Sequence, residues 1–331
     1  MVLVVIVLVA AASSSAVRNF WAKTKVYLGG TKYMLVSKDL PKKFSGSNFF
    51  RGWNISPAQQ RKGKRTIRVV FIRHGQSVWN SVFNAFGLAW PVRSLKALFG
   101  EWYLFFTNPL DSYIIDSPLS AKGRTEGEDL GSFVRTAHGK ITLDTTKSVI
   151  VCSNLRRAMA TAMLGLQPRL AKTRERIIID STLQEGSRNI DAQSFSTAPG
   201  KIAATPVLDL DTALQLHSTF DPSFNAGNKS STSNVYLRMD DFVRHVFSAD
   251  GLSPAAGGGL SNDALEEIIV VGHSGWFRNF FKRFLPPSSQ HVSKTKKMKN
   301  CAAVVFNLAH DVSSGEVTID ESSLEVLYRG F

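Results

Sequence analysis

The stretch Thr66-Ile67-Arg68-Val69-Val70-Phe71-Ile72-Arg73-His74-Gly75 sets an apolar run, an arginine, a histidine and a glycine in one line. A short run of β-branched and aromatic residues reads as a buried strand, which puts the polar pair at its carboxyl end. In an open parallel sheet that edge is where ligands bind, and a glycine there lets the backbone turn tightly and approach an anion. A neutral imidazole in this place can act as a nucleophile, and the adjacent guanidinium forks onto phosphate oxygens. By itself the pair is equally a structural feature, so its meaning depends on the rest of the chain.

Outward from this strand, further apolar runs are predicted as strands at 67–72, 148–152, 176–180, 267–272 and 301–308, with helical patterns at 122–137, 155–166, 233–248 and 274–284. This alternation predicts an α/β fold, a single three-layer domain with a mainly parallel central sheet flanked by helices. A length of 331 residues, 44% of them hydrophobic, suits one large core with insertions. The domain is expected over residues 66–331, with edge segments from Glu316 to Arg329. Residues 81–116 form an aromatic insertion, helical over Val92 to Phe106, that reads as a packed helical hairpin, a cap over the site or a membrane-facing patch. Residues 248–262, with Gly257-Gly258-Gly259, read as a loop.

The formal charge is +14, yet thirteen of the 40 Lys and Arg residues lie in residues 1–68 beside one acid, Asp39. The remainder is nearly neutral, which argues against a nucleic-acid-binding surface. Residues 1–65 are expected to be a hydrophobic, then basic, largely irregular leader. The run Met1 to Ala12 resembles the apolar part of a signal peptide or a short anchor, although no basic residue precedes it. An anionic membrane surface, an import machine or an acidic partner is what this segment is expected to meet; without a signal or anchor the location would be cytoplasmic. Cys152 and Cys301 sit in apolar runs and read as small buried hydrophobes. No Cys or His spacing reads as a metal site and no phosphate-binding glycine loop occurs, so neither metal nor cofactor is expected.

Three more predicted strand ends carry groups suited to one phosphate. Val149-Ile150-Val151-Cys152 leads into Ser153-Asn154-Leu155-Arg156-Arg157-Ala158-Met159-Ala160-Thr161, a helix start with arginines. Ile268-Ile269-Val270-Val271-Gly272 leads into His273-Ser274-Gly275, and Ile177-Ile178-Ile179-Asp180 precedes Leu183-Gln184-Glu185-Gly186. Two histidines, two arginines and an acid thus fall on one predicted edge.

These segments resemble the histidine phosphatase superfamily, in its phosphoglycerate mutase-like branch, over roughly residues 66–310. Arg73 to Asn80 is similar to the family's opening signature, Asp116 to Gly123 to its following turn and helix, and Ser153 to Thr161 to its pattern Ser-x-Leu-x-Arg-Ala-x-x-Thr. The resemblance implies that His74 is the phosphate-accepting nucleophile, Glu185 the proton donor and His273 the second histidine. It also assigns the phosphate clamp to Arg157, not Arg156, with Arg73 and Asn80 completing the phosphate site. A metal-independent phosphomonoester hydrolase, acting on a phosphorylated small molecule or phosphoprotein, is the implied activity. Mutase-type phosphotransfer is a weaker alternative, since Gly186-Ser187-Arg188-Asn189 replaces the Arg-x-Tyr-Gly continuation of those enzymes. A non-catalytic phosphate-binding scaffold is the alternative outside catalysis. His138, His217, His245, His291 and His310 match no motif and are expected to be structural or superficial, and the basic run Lys294 to Lys299 to be a solvated loop, with polyanion docking as its alternative reading.

Overall fold

The computed structural model describes residues 15–40, 63–84, 87–137, 139–142, 145–197, 199–200, 202, 216–249, 251–252 and 264–331. The apolar run 1–12, most of the glycine-rich loop and His138 lie outside them. In chain order the elements are α1 (Ser15–Val36), β1 (Lys64–Arg73), α2 (Val78–Val82), α3 (Trp90–Thr107), α4 (Ala121–Thr136), β2 (Ser148–Cys152), α5 (Arg156–Gly165), α6 (Gln167–Thr173) and β3 (Ile177–Asp180). They continue with β4 (Phe220–Phe224), α7 (Val235–Phe247), β5 (Glu267–Gly272), α8 (Ser274–Phe284), β6 (Ala303–Asp311) and β7 (Val317–Tyr328).

The strands form one seven-stranded sheet in the order β4-β3-β2-β5-β1-β6-β7. Pairing is parallel from β4 through β1, and antiparallel where β6 joins β1 and β7 joins β6. Because strand side chains alternate, each strand feeds two cores. Ile67, Val69 and Phe71 pack with α7 and α8 on one face, while Val70 and Ile72 pack with α4 and α5 on the other. Phe71 stacks on Phe277 with ring centroids 4.1 Å apart. Burial on both faces explains why the central strands read as unbroken apolar runs. The predicted α/β architecture and mainly parallel sheet are as expected, and Cys152 and Cys301 are both buried.

The segment around Gly29-Gly30 departs from the expected irregular leader: it is the 22-residue helix α1, seated on the domain. Gly30 is the point of closest approach, because a Cβ there would stand 2.8 Å from the Ile190 side chain. Gly30 thus lets the helix sit flush, while Gly29 faces open space. Lys23 and Tyr27 meet Glu101 of α3, at 2.8 and 2.6 Å, and Asp39, just beyond α1, is wholly buried.

A candidate active site at the carboxyl edge of the sheet

The register fixes the centre of the site. Arg73, the last residue of β1, is level with Gly272, the last of β5, so the residues that follow them, His74 and His273, emerge side by side. Their ring centroids lie 5.0 Å apart, close to the spacing of neighbouring strands. Both rings are buried. His74 Nδ1 is 2.6 Å from the Gly75 carbonyl oxygen. A carbonyl can only accept, so this bond assigns the proton to Nδ1 and leaves the lone pair on Nε2. Burial, then the charges of Arg157 and Arg73, holds the ring neutral by taking its pKa well below the usual histidine value. His273 is held neutral by burial, then by Arg157 and His74. Its Nε2 lies 2.9 Å from Ser153 Oγ, and its buried Nδ1 has no hydrogen-bond partner among the described residues.

The loop after β1 is held from two sides. Thr161 Oγ1 accepts from the Gly75 N–H at 3.0 Å and donates to the Arg157 carbonyl at 2.8 Å, tying α5 to the histidine. Glu126 of α4 accepts from the Gln76 N–H at 2.8 Å, and Ser117 Oγ from the Trp79 N–H at 2.7 Å. The two arginines at the start of α5 do different work. Arg156 binds the Asp116 carbonyl at 2.8 Å and the Asp111 carboxylate at 3.0 Å, inside the protein. Arg157 faces a cavity of about 560 Å³ that Arg73, His74, Asn80 and Glu185 also line. Arg157 donates to the Asp191 carbonyl at 3.0 Å and pairs with its carboxylate at 3.5 Å. Arg73 donates to the Met298 carbonyl at 2.6 Å, while its buried Nε has no hydrogen-bond partner among the described residues.

Glu185 follows β3 and is met by the start of α8. Its Oε1 accepts from the Trp276 N–H at 3.1 Å, the one hydrogen bond its carboxylate makes among the described residues, which leaves Oε2 for a ligand. Gly275 makes that approach feasible, since a Cβ there would stand 2.5 Å from Oε1. Every site residue expected from the sequence therefore reaches this edge. Five of the six line the cavity, and His273 stands behind His74 without bordering it.

Sequence reasoning missed several residues here. Arg188, Asp191, Arg278 and Lys297 also line the cavity. Residues 294–299 are solvated as expected, with Lys296, Lys297 and Lys299 exposed; Lys297 in addition lines the cavity, and Met298 is buried. Lys229, Asp39 and Arg238 form a buried ion cluster beneath Glu185. Lys229 Nζ donates to the Asp39 carboxylate at 3.0 Å and to the Glu185 and Ser187 carbonyls at 2.6 Å, and Arg238 pairs with the same carboxylate. Burial, only partly offset by Asp39, lowers the Lys229 pKa to about 8. No local pattern marks this cluster, because Asp39 lies 190 residues from Lys229 and 199 from Arg238. Of the aromatic insertion, Asn84 borders the cavity and no residue of α3 does. Among the described residues no three His, Cys, Asp or Glu side chains form a metal site. A cavity of about 790 Å³ between α1 and residues 193–231 is larger, but carries none of the six expected site residues.

No family model matches the chain, and no curated protein matches it. Solved structures do resemble it. A mycobacterial glucosyl-3-phosphoglycerate phosphatase is 18% identical with a TM-score of 0.36, the match covering 77% of this chain and 97% of that one. A phosphoglycerate mutase from Bacillus anthracis is 16% identical with a TM-score of 0.40, over 78% and 94%. A phosphoserine phosphatase from Entamoeba histolytica is 14% identical with a TM-score of 0.34, over 77% and 95%. These neighbours are phosphatases and a mutase. At such identities and scores no assignment rests on them.

Proposed function

We propose that this protein is a phosphomonoester hydrolase of the histidine phosphatase superfamily, working through a phosphohistidine on His74. The observation that carries this reading is the pairing of a neutral His74, its proton assigned to Nδ1, with Arg73, Arg157 and Glu185 around one cavity. In the first step Nε2 of His74 attacks phosphorus in line, and the ester oxygen leaves with the proton of Glu185 Oε2. In the second, Glu185 takes a proton from water, which attacks the phosphohistidine, breaks the P–N bond and returns His74 and inorganic phosphate. Arg73, Arg157 and Asn80, which line the cavity, would hold the phosphoryl oxygens as charge spreads over them, and the family resemblance gives His273, beside His74, a share in that task. A charge pair at 4 Å is worth on the order of 4 kcal/mol at an effective dielectric of 20, so Arg157 matters greatly. No step in this scheme calls for a metal. The substrate class is a phosphorylated small molecule or phosphoprotein.

The test is phosphate release over a panel of sugar phosphates, phosphoproteins, inositol phosphates and nucleotides, joined to labelling by a phosphorylated substrate. The expected label is acid-labile, alkali-stable and absent from His74→Ala. Glu185→Gln should slow substrates with poor leaving groups about 10²-fold or more while sparing an activated aryl phosphate. Full turnover by His74→Ala would overturn the nucleophile, equal losses for both substrate types the proton donor. Net isomerisation of 3-phosphoglycerate would replace hydrolase with mutase.

A further inference from the structure

Helix α3 is turned inside out. Val92, Leu95, Phe99, Trp102 and Phe106, three or four residues apart, form one outward stripe, with Phe99 and Trp102 each 68% exposed. The inward side holds the charge: Glu101 is buried, paired with Lys23 and hydrogen-bonded to Tyr27 and Ser112. A helix facing water has the opposite arrangement. Beside it, α1 presents Trp21, Lys25, Leu28, Lys32 and Leu35, apolar and cationic in alternation. The two helices form one surface, since Phe20 packs on Phe105 at 4.9 Å and an apolar hollow of about 480 Å³ opens between Phe20 and Tyr27 on one side and Trp102 and Phe106 on the other. A continuous exposed apolar area of this kind marks a binding surface.

We propose that the outer faces of α1 and α3 dock this protein on an anionic lipid bilayer, with both helices lying in the interface plane. Charge selects this occupant. Helix α1 contains no acid, and the single acid of α3 is the buried Glu101, so the exposed faces carry only cations among their charged groups. Trp and Tyr at the rim suit the level of the headgroups, and lysines interleaved with apolar residues mark interfacial helices. Among the described residues no helix is long and apolar enough to cross a membrane.

Flotation of the full chain with vesicles tests the proposal, comparing phosphatidylcholine alone with a 70:30 mixture of phosphatidylcholine and phosphatidylserine. Binding should favour the anionic vesicles and weaken with salt. Phe99→Glu/Trp102→Glu should lower partitioning about tenfold or more. Lys25→Glu/Lys32→Glu should lower it by about tenfold on anionic vesicles and little on neutral ones. All four side chains face solvent, and circular dichroism checks that the variants fold. The proposal falls if the wild type does not float, or if Phe99→Glu/Trp102→Glu floats as well as the wild type, which would put binding in residues 1–12 alone. It also falls if these substitutions split a stable dimer that ignores vesicles, which would make the face an interface between copies.

Discussion

His74, His273 and His245 occupy three electrostatic settings in one molecule. Burial and neighbouring cations take the first two well below their unfolded value. In His245 burial also lowers the pKa, but the Asp180 carboxylate, 2.7 Å from Nδ1, outweighs it and raises the value. As pH falls below about 6.5 the unfolded chain binds protons that native His74 and His273 refuse. Their contribution to stability is therefore complete above that pH and is lost on acidification. His245 acts in the other direction: native His245 keeps a proton that the unfolded chain has released. Its contribution is complete below about 6.5 and is lost as pH rises through the raised native value. Urea unfolding should show His245→Gln most destabilised relative to wild type near pH 5.5 and converging with it near pH 8.5. Equal costs at both values would remove the ion pair as the cause. For the chemistry, depressed values keep His74 unprotonated in mildly acidic solution, where a nucleophile at the ordinary histidine pKa would already be losing activity.

At the level of elements, the start of α8 positions Glu185, the proposed proton donor. Gly275→Ala is expected to push the Glu185 carboxylate off the Trp276 N–H, since the new methyl would stand 2.5 Å from Oε1. Turnover should fall about tenfold or more for substrates with poor leaving groups, with an aryl phosphate less affected, and stability should drop by only about 1–3 kcal/mol. An equal loss on both substrates would point to a displaced nucleophile. Elements with strong local signals were legible in the sequence. Central strands showed as apolar runs, and His74, Arg157, Glu185 and His273 each follow one within a few residues. Others were hidden for physical reasons. Strand β4 is Phe220-Asp221-Pro222-Ser223-Phe224, a composition tolerated because it forms the sheet edge, where a proline forfeits no central ladder bond. Helix α1 was obscured by Gly29-Gly30, of which Gly30 has a purpose that emerges only against Ile190. Arg278 and Lys297 reach the cavity from a helix and a loop whose placement depends on tertiary packing.

For the molecule as a whole, the end of α1 ties the amino-terminal segment to the loop that carries Glu185. Burial pushes the Asp39 carboxyl up, but Lys229 and Arg238 outweigh it and hold it below its usual value. Asp39 also accepts from the Ser187 N–H at 3.0 Å, two residues beyond Glu185. Asp39→Ala would leave two buried cations without their carboxylate, at a cost of about 3–5 kcal/mol in chemical denaturation. Turnover should fall in parallel, because Lys229 also holds the Glu185 carbonyl. Unchanged stability would mean that α1 is attached to the domain without bracing it.

The same clasp sets an order of events during synthesis. Asp39 is made 199 residues before Arg238. At roughly 5–20 residues per second, α1 waits on the order of ten seconds or more for its partner. During that interval the growing chain presents an acid-free helix of alternating lysines and large apolar side chains. Whatever binds α1 can therefore do so before the Glu185 loop exists to compete for it.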